Sequence, residues 1–137
     1  MIVTVYIQIE LNIVQYSNAN PDIVKNIEIN NFAGSNNSVE IDTNGSGPFE
    51  YSLDGIIFQS NAIFKNITAG TYTVFVRDKT NCILSSAIIN VLDYTRYFTP
   101  NADGINDVWK IKNLDLFPKA VVSIFDRYAN YFMSLIR

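Results

Sequence analysis

The chain contains no histidine and a single cysteine, Cys82. Without histidine, Ser-His-Asp and Cys-His catalytic arrangements and histidine-ligated metal sites are excluded. One cysteine cannot form a disulfide within the chain or a multi-cysteine metal site. We expect Cys82 to be a small buried side chain, with pairing to another molecule or thiol reactivity as the alternatives. No nucleophile motif stands out, so the sequence predicts a protein that is not an enzyme and needs no resident cofactor.

Charge and long apolar runs are also scarce. The 137 residues carry a net charge of -3, so no basic surface for nucleic acid is expected. The apolar stretch at residues 1–10 is too short to span a bilayer, and it lacks the basic start and cleavage site of a signal peptide. Its Val3, Val5, Ile7 and Ile9 alternate with polar residues, which predicts a strand. This strand is expected to end a preceding module or to extend the edge of the next one.

What the sequence does contain is a succession of short alternating segments separated by Asn, Asp, Ser and Gly. They predict strands near residues 27–30, 39–42, 49–53, 56–58, 71–77 and 83–92, with Asp54-Gly55 as a two-residue hairpin turn. No helical stripe interrupts them. Turns spaced about every 8–12 residues are typical of an all-β sandwich. We therefore predict an immunoglobulin-like β-sandwich followed by an incomplete second β module.

Tyr72 follows a glycine corner in the segment Ile67-Thr68-Ala69-Gly70-Thr71-Tyr72. In immunoglobulin-like sandwiches, a tyrosine in this position turns its hydroxyl back to the main chain. The alternative is a tyrosine that merely packs within a strand.

The middle of the chain resembles the SprB-type repeat of large bacterial surface adhesins. The resemblance spans about residues 27–91 and is carried by Gly45-Ser46-Gly47-Pro48-Phe49-Glu50-Tyr51-Ser52-Leu53-Asp54-Gly55, Phe58-Gln59, Ile67-Thr68-Ala69-Gly70-Thr71-Tyr72-Thr73-Val74, Arg77-Asp78 and Cys82. It implies a module that presents a surface to an extracellular protein or glycan.

A polar bend at residues 97–111 contains most of the candidate functional residues. Pro100 sets an extended entry, and short polar side chains then crowd into one turn before a strand-like run that contains the only tryptophan. The candidate functional residues of this bend are Thr99, Pro100, Asn101, Asp103, Gly104, Asn106, Asp107 and Trp109.

This bend is similar to the opening of the gliding motility-associated C-terminal domain, the type B sorting domain of the type IX secretion system. A second block, Val122-Ser123-Ile124-Phe125-Asp126-Arg127-Tyr128, adds Phe125, Arg127 and Tyr128 to the sorting motif. The resemblance implies that the type IX secretion machinery is a partner and that the protein is exported across the outer membrane of a Gram-negative bacterium.

The chain departs from that family in three ways. Ala102 and Ala129 stand where the family has glycine, and an alanine with positive φ would cost about 1 kcal/mol. The family also continues beyond the point where this chain stops, so a truncated domain is expected. Its strands would pack on the first module, self-associate or remain poorly ordered. Because an exported protein needs a leader, we also expect the gene to begin upstream.

The side chains of Asn101, Asp103, Asn106 and Asp107 suggest a Ca²⁺ site, because hard cations prefer carboxylate and amide oxygens around a glycine-containing loop. The alternative is that these residues cap the turn by bonding their own backbone. The position where an EF-hand has its distal glutamate holds Lys112.

A carbohydrate-binding module is the rival function, and it requires an exposed row of aromatic side chains. The candidates are Phe49, Tyr51, Phe58, Phe64, Tyr72 and Phe75, although their alternation favours core packing. The carboxylates of Glu40, Asp42, Glu50 and Asp54 are expected on a solvated sheet face rather than in a glycosidase pair.

The sequence therefore predicts three segments: residues 1–22 as a strand and linker, 23–94 as an SprB-type module, and 95–137 as a truncated sorting domain. The predicted protein is a non-catalytic, adhesin-like molecule that is secreted or held at the outer cell surface.

Overall fold

The computed structural model describes residues 6–10, 16–17, 19–80, 82–105, 107–125, 128 and 130–136. These residues form twelve β-strands and two short 3₁₀ helices, and they include no α-helix. The strands are β1 (Tyr6–Glu10), β2 (Tyr16–Ser17), β3 (Val24–Asn30), β4 (Asn37–Thr43), β5 (Phe49–Ser52), β6 (Ile63–Ile67), β7 (Gly70–Asp78), β8 (Ile83–Val91), β9 (Asp93–Tyr94), β10 (Ile111–Lys112), β11 (Val121–Phe125) and β12 (Tyr131–Ile136). The 3₁₀ helices are Gly34–Asn36 and Leu114–Leu116. The predicted all-β fold class is confirmed.

Two antiparallel sheets supply the main core. One has the order β2-β8-β7-β5 and the other β3-β4-β6. Apolar side chains from both sheets form one buried cluster, which identifies a sandwich: Val24, Ile27, Val39, Ile41, Tyr51, Ile67, Val74, Val76, Ala87, Ile89 and Val91. Each fully buried side chain of this size contributes about 1.5–3 kcal/mol of hydrophobic stabilisation.

The alternation in β4 shows how the sequence selects the buried face. Val39 and Ile41 are buried, while Glu40 and Asp42 between and after them are exposed. Because successive strand residues point to opposite faces, the apolar residues of β4 all reach the core.

The region between β5 and β7 differs from the prediction. Residues 56–58 are not a strand, and the Asp54-Gly55 turn is closed only by a single bridge between Tyr51 and Gln59. The reason is that side chains take the backbone donors: Ser52 Oγ accepts from the N–H groups of residues 54 and 55, and Asp54 Oδ1 accepts from those of residues 56 and 57. Strand β6, which the sequence analysis missed, pairs with β4 instead.

The tyrosine corner is confirmed. The Tyr72 hydroxyl lies 2.9 Å from the Thr68 carbonyl oxygen, to which it donates, and 3.1 Å from Thr68 Oγ1. The bond ties the start of β7 back to the end of β6, as in immunoglobulin-like sandwiches.

A separate three-stranded antiparallel sheet has the order β1-β11-β12. In it Ile7 pairs with Ile124, and Ser123 pairs with Ser134. The sequence analysis expected β1 to belong to a preceding module or to the sandwich edge, but β1 pairs with β11. Alternation predicts that a segment is a strand but does not select its partner.

The contacts divide the chain into two units. One spans Gln15–Asn113, and the other comprises Met1–Val14 and Leu114–Arg137. The module boundaries that the sequence predicts after residues 22 and 94 stay predictions.

Candidate functional site

Most of the candidate residues lie in one loop, residues 95–110, which joins β9 to β10. The two strands form a two-residue ladder in which Tyr94 pairs with Ile111. Thr95 N then donates to Lys110 O at 3.0 Å, and Lys110 N donates to Thr95 Oγ1 at 3.1 Å. The expected strand at residues 108–111 is thus shorter than predicted, because β10 begins only at Ile111.

Asp107 holds the turn of the 95–110 loop together. Its Oδ1 accepts hydrogen bonds from Asn101 N at 3.1 Å and Ala102 N at 2.7 Å, and its Oδ2 accepts one from Gly104 N at 2.7 Å. Hydrogen bonds to an ionised carboxylate are stronger than neutral ones. One side chain therefore satisfies three backbone donors, those of residues 101, 102 and 104, in a segment that forms no ladder.

Asp103 and Asn101 brace the tip of the same turn. Ile105 N donates to Asp103 Oδ1 at 2.7 Å, and Asn101 Nδ2 donates to Asp103 Oδ2 at 2.8 Å. These bonds, from the Ile105 backbone first and the Asn101 side chain second, lower the pKa of Asp103 from its ordinary value of 3.8. The carboxylate therefore stays ionised at neutral pH and is occupied by donors of its own loop.

The proposed Ca²⁺ ligands can be compared with this geometry. The carboxylate oxygens of both Asp103 and Asp107 accept hydrogen bonds from the loop, as the turn-capping alternative requires. Among the described residues, no group of three or more His, Cys, Asp or Glu side chains is placed to hold a metal ion. Asn106, another of the proposed ligands, lies outside the described residues. The calcium site stays a prediction.

The backbone of the turn visits the left-handed region twice. Ala102 has a φ of 61° and Gly104 a φ of 84°. An L-residue with a side chain pays about 1–2 kcal/mol in this region, whereas glycine does not. Ala102 thus occupies a position where glycine is the unstrained residue, which is the condition under which the sequence analysis expected a cost. Ala129 lies outside the described residues.

Aromatic side chains form the base of the 95–110 loop. The ring of Trp109 lies 6.2 Å from that of Tyr94, which lies 6.3 Å from the ring of Phe32 in the sandwich. Both separations fall in the range of about 4.5–7 Å that aromatic pairs favour. All three side chains are half-buried. Trp109 was a predicted site residue, but the roles of Tyr94 and Phe32 were missed, because their pairing spans more than sixty residues of sequence.

Three hydrogen bonds also hold the segment 31–34, two to Leu92, which precedes β9, and one to Arg96 in the 95–110 loop. Leu92 N donates to Asn31 Oδ1 at 2.8 Å, and Phe32 N donates to Leu92 O at 3.2 Å. Arg96 Nη2 donates to Ala33 O at 3.3 Å.

The 95–110 loop presents apolar side chains to solvent. Tyr97 is 73% exposed, Ile105 67%, Val108 54% and Phe98 51%. The carboxylates of Asp103 and Asp107 bond to the backbone of the loop itself, so the outward surface is more apolar than the sequence motif of this loop. Thr99 bonds inward as well, donating from Oγ1 to Ile105 O at 3.4 Å. Pro100, the residue after Thr99, is exposed.

The second motif block lies outside this loop. Phe125 ends β11, where it is half-buried and pairs with Tyr6 and Tyr131 across the ladder. Tyr128 is 70% exposed. Arg127 lies outside the described residues, so its predicted role in the motif stays a prediction.

The residues of the SprB-like block form contacts within the sandwich. Arg77 places its guanidinium 3.7 Å from the centre of the Phe58 ring and contacts the Glu50 carboxylate at 2.7 Å. Asp42 forms an ion pair with Lys25 at 3.0 Å, and Asp54 caps the turn after β5. Cys82 is exposed, so the expectation that it is buried is wrong: it sits just after the turn between β7 and β8.

The aromatic side chains proposed for sugar stacking are not on an open face. Tyr51 belongs to the core, Phe49, Phe64 and Tyr72 pack against it, and Phe58 and Phe75 are half-buried. Among the described residues of the sandwich, the large apolar side chains that are exposed include no aromatic one.

Residues 92–133 match the family profile of the CHU_C type IX secretion signal domain. No curated protein and no solved structure shows a match to the chain. The matched segment contains the whole 95–110 loop and β10 and β11. It supports a C-terminal sorting domain and indicates a secreted or cell-surface protein that interacts with the type IX secretion machinery. In the described residues, no helix has the length and apolarity needed to cross a membrane.

Proposed function

We propose that the chain belongs to an adhesin-like protein of a Gram-negative bacterium, in which a non-catalytic β-sandwich is delivered to the cell surface or the medium by a type IX sorting signal. The 95–110 loop is the part of the signal that the secretion machinery contacts. The match over residues 92–133 carries this proposal.

The geometry of the 95–110 loop supports a recognition role. Asp107 and Asp103 accept four hydrogen bonds from the backbone of the loop and one from the side chain of Asn101. A loop that is ordered before binding loses less conformational entropy when it binds. The exposed Tyr97, Phe98, Ile105 and Val108 then supply apolar contact area, and aromatic side chains are enriched in protein interfaces. The polar residues are the scaffold, and the apolar ones are the contact surface.

The sandwich provides the adhesin-like module. Its support is the SprB-type pattern of residues 45–55, 58–59, 67–74, 77–78 and 82, in which Arg77 contacts both the Phe58 ring and the Glu50 carboxylate. The ligand is an extracellular protein or glycan. The half-buried aromatic side chains give no particular support to the rival function of a carbohydrate-binding module, and a glycan array without hits would count against that rival and favour a protein ligand.

The export experiment uses the full chain behind a periplasmic leader, expressed in a bacterium with a type IX system and in an isogenic strain without it. We expect protein at the surface or in the medium of the first strain and periplasmic retention in the second, measured by protease accessibility and immunoblotting of fractions. Replacing the exposed Tyr97 and Ile105 by Ser should lower export without changing the melting temperature. Equal localisation in the two strains would refute the proposal.

A further inference from the structure

The sandwich contacts the base of the 95–110 loop through the segment 31–34, which directly follows β3. Phe32 is absent from the buried core cluster, and its ring faces Tyr94 instead. Tyr94 in turn contacts Trp109, which directly precedes Lys110, the last residue of the loop.

The backbone of this segment is held in an unfavourable conformation. Phe32 has a φ of 65°, a region that bulky side chains rarely adopt. Such strain persists only where surrounding contacts maintain it, and it often marks a functional position. Here the surrounding contacts are the bonds of Asn31 and Phe32 to Leu92, the residue directly before β9.

Gly34 completes the arrangement from the other side. It also has a positive φ, 67°, and a Cβ at this position would overlap the guanidinium of Arg96. Arg96 crosses over this glycine to reach the Ala33 carbonyl oxygen. A strained aromatic residue and a glycine thus let the segment 31–34 contact both Tyr94 and Arg96 at the start of the loop.

We propose that the segment 31–34 of the sandwich is part of the sorting signal, because it positions the 95–110 loop for the secretion machinery. The surface that the machinery contacts is therefore composite: the loop provides the contacting side chains, and the sandwich sets their orientation through Phe32, Tyr94 and Trp109. This inference rests on the function proposed above.

The test is Phe32→Gly in the full chain. Glycine relieves the backbone strain, so the sandwich remains folded, but the ring contact with Tyr94 is lost. Trp109 is the only tryptophan of the chain, so its fluorescence reports on the loop base without interference. We expect a red shift of its emission and stronger quenching by acrylamide. If the correctly oriented loop falls to about a tenth of the population, the apparent affinity for the machinery falls about tenfold, and exported protein decreases with it.

Three variants serve as controls. Asn66 has a comparable φ of 59° and is exposed elsewhere in the sandwich, so Asn66→Gly relieves similar strain and should leave both emission and export at wild-type levels. Phe32→Tyr keeps the ring, so it should leave both Trp109 emission and export at wild-type levels. Arg96→Ala tests the contact from the loop side with an exposed residue whose replacement leaves the sandwich folded, and it should reduce export in the same direction as Phe32→Gly.

The outcomes separate the two proposals. If the wild-type chain is not exported by the type IX system, the proposed function fails, and this inference fails with it. If the wild type is exported and Phe32→Gly is exported equally well, only the positioning role is overturned. Unchanged Trp109 emission in Phe32→Gly would also overturn it, whatever the export result.

Discussion

Two loops of the sandwich-containing unit are both capped by aspartate, yet they are supported differently. In the turn after β5, Asp54 Oδ1 accepts hydrogen bonds from Ile56 N and Ile57 N, two and three residues ahead. In the 95–110 loop, Asp107 reaches back three to six residues to Gly104, Ala102 and Asn101. Adjacent pairing closes both loops, through the Tyr51–Gln59 bridge in the first and the Tyr94–Ile111 pair in the second. The second loop has in addition an aromatic base that includes Phe32.

Both loops also carry apolar side chains outward. Ile56 is 83% exposed and Ile57 74%, compared with 73% for Tyr97. Since the polar side chains of each loop bond their own backbone, the apolar ones are left on the surface. The comparison shows that aspartate capping is common to both loops, whereas the chain of aromatic contacts through Tyr94 to Phe32 belongs to the sixteen-residue loop.

The largest expected effect concerns Asp107. Asp107→Ala removes the acceptor of three backbone donors, and we expect the 95–110 loop to lose about 2–3 kcal/mol of local stability. Hydrogen exchange should show lost protection at the amides of Asn101, Ala102 and Gly104, together with loss of export. Asp107→Asn keeps one oxygen and should be intermediate. Unchanged protection in the alanine variant would mean that the aromatic base alone holds the loop.

A matched pair of glycine substitutions compares the two loops directly. Gly55 and Gly104 have φ values of 76° and 84°, but a Cβ at Gly55 would lie 3.0 Å from the Phe75 ring, whereas nothing lies within 4 Å at Gly104. Gly104→Ala should cost about 1 kcal/mol from strain alone, and Gly55→Ala about 2 kcal/mol because the ring must also move. If the 95–110 loop opens locally, chemical denaturation underestimates the cost of Gly104→Ala, so hydrogen exchange at the loop amides should be measured as well. Equal costs would contradict the packing argument.

Ala102 offers a change in the opposite direction. Ala102→Gly removes left-handed strain, while the more flexible unfolded chain offsets part of the gain, so we expect about 0.5–1 kcal/mol of added loop stability. The measurement is slower hydrogen exchange at Gly104 and a small rise in exported protein. Ala120→Gly, at a buried alanine that lacks positive φ, is the control and should destabilise instead. A loss of protection in Ala102→Gly would show that its backbone is not strained.

The smallest effect is the pH dependence of stability that Asp54 contributes in the first turn and Asp103 in the 95–110 loop. Hydrogen bonds from Ile57 N, Ile56 N and Ser52 lower the pKa of Asp54 from 3.8, as bonds from Ile105 N and Asn101 lower the pKa of Asp103. A lowered folded-state pKa adds stability that is complete above the unfolded value and is lost as pH falls through the folded value. The stability gap between wild type and Asp54→Asn, or Asp103→Asn, should therefore narrow below about pH 4. Thermal melts from pH 6 to pH 2 measure this, and a pH-independent gap would contradict it.

Much of the fold followed from local pattern. The alternation around Val39 and Ile41 predicted β4, the glycine corner predicted the bond of Tyr72, and the polar motif at residues 101–107 predicted a turn. Strand β6 escaped prediction because its sequence does not alternate: two apolar residues, Ile63 and Phe64, are followed by two polar ones, Lys65 and Asn66. Residues 56–58 were predicted as a strand because their apolar character is strand-like, but the Ser52 and Asp54 caps withdraw the backbone donors that a ladder needs.

The sequence by itself determined which segments extend, where they turn and which side chains cap those turns, because all of these depend on neighbours a few residues apart. Only the tertiary structure decided that β1 pairs with β11, that Tyr97 and Ile105 face solvent, and that Phe32 supports the loop containing Trp109. Alternation specifies which face of a strand is buried but not its partner. Contacts between distant residues follow from the register and packing of whole sheets, which no local pattern contains.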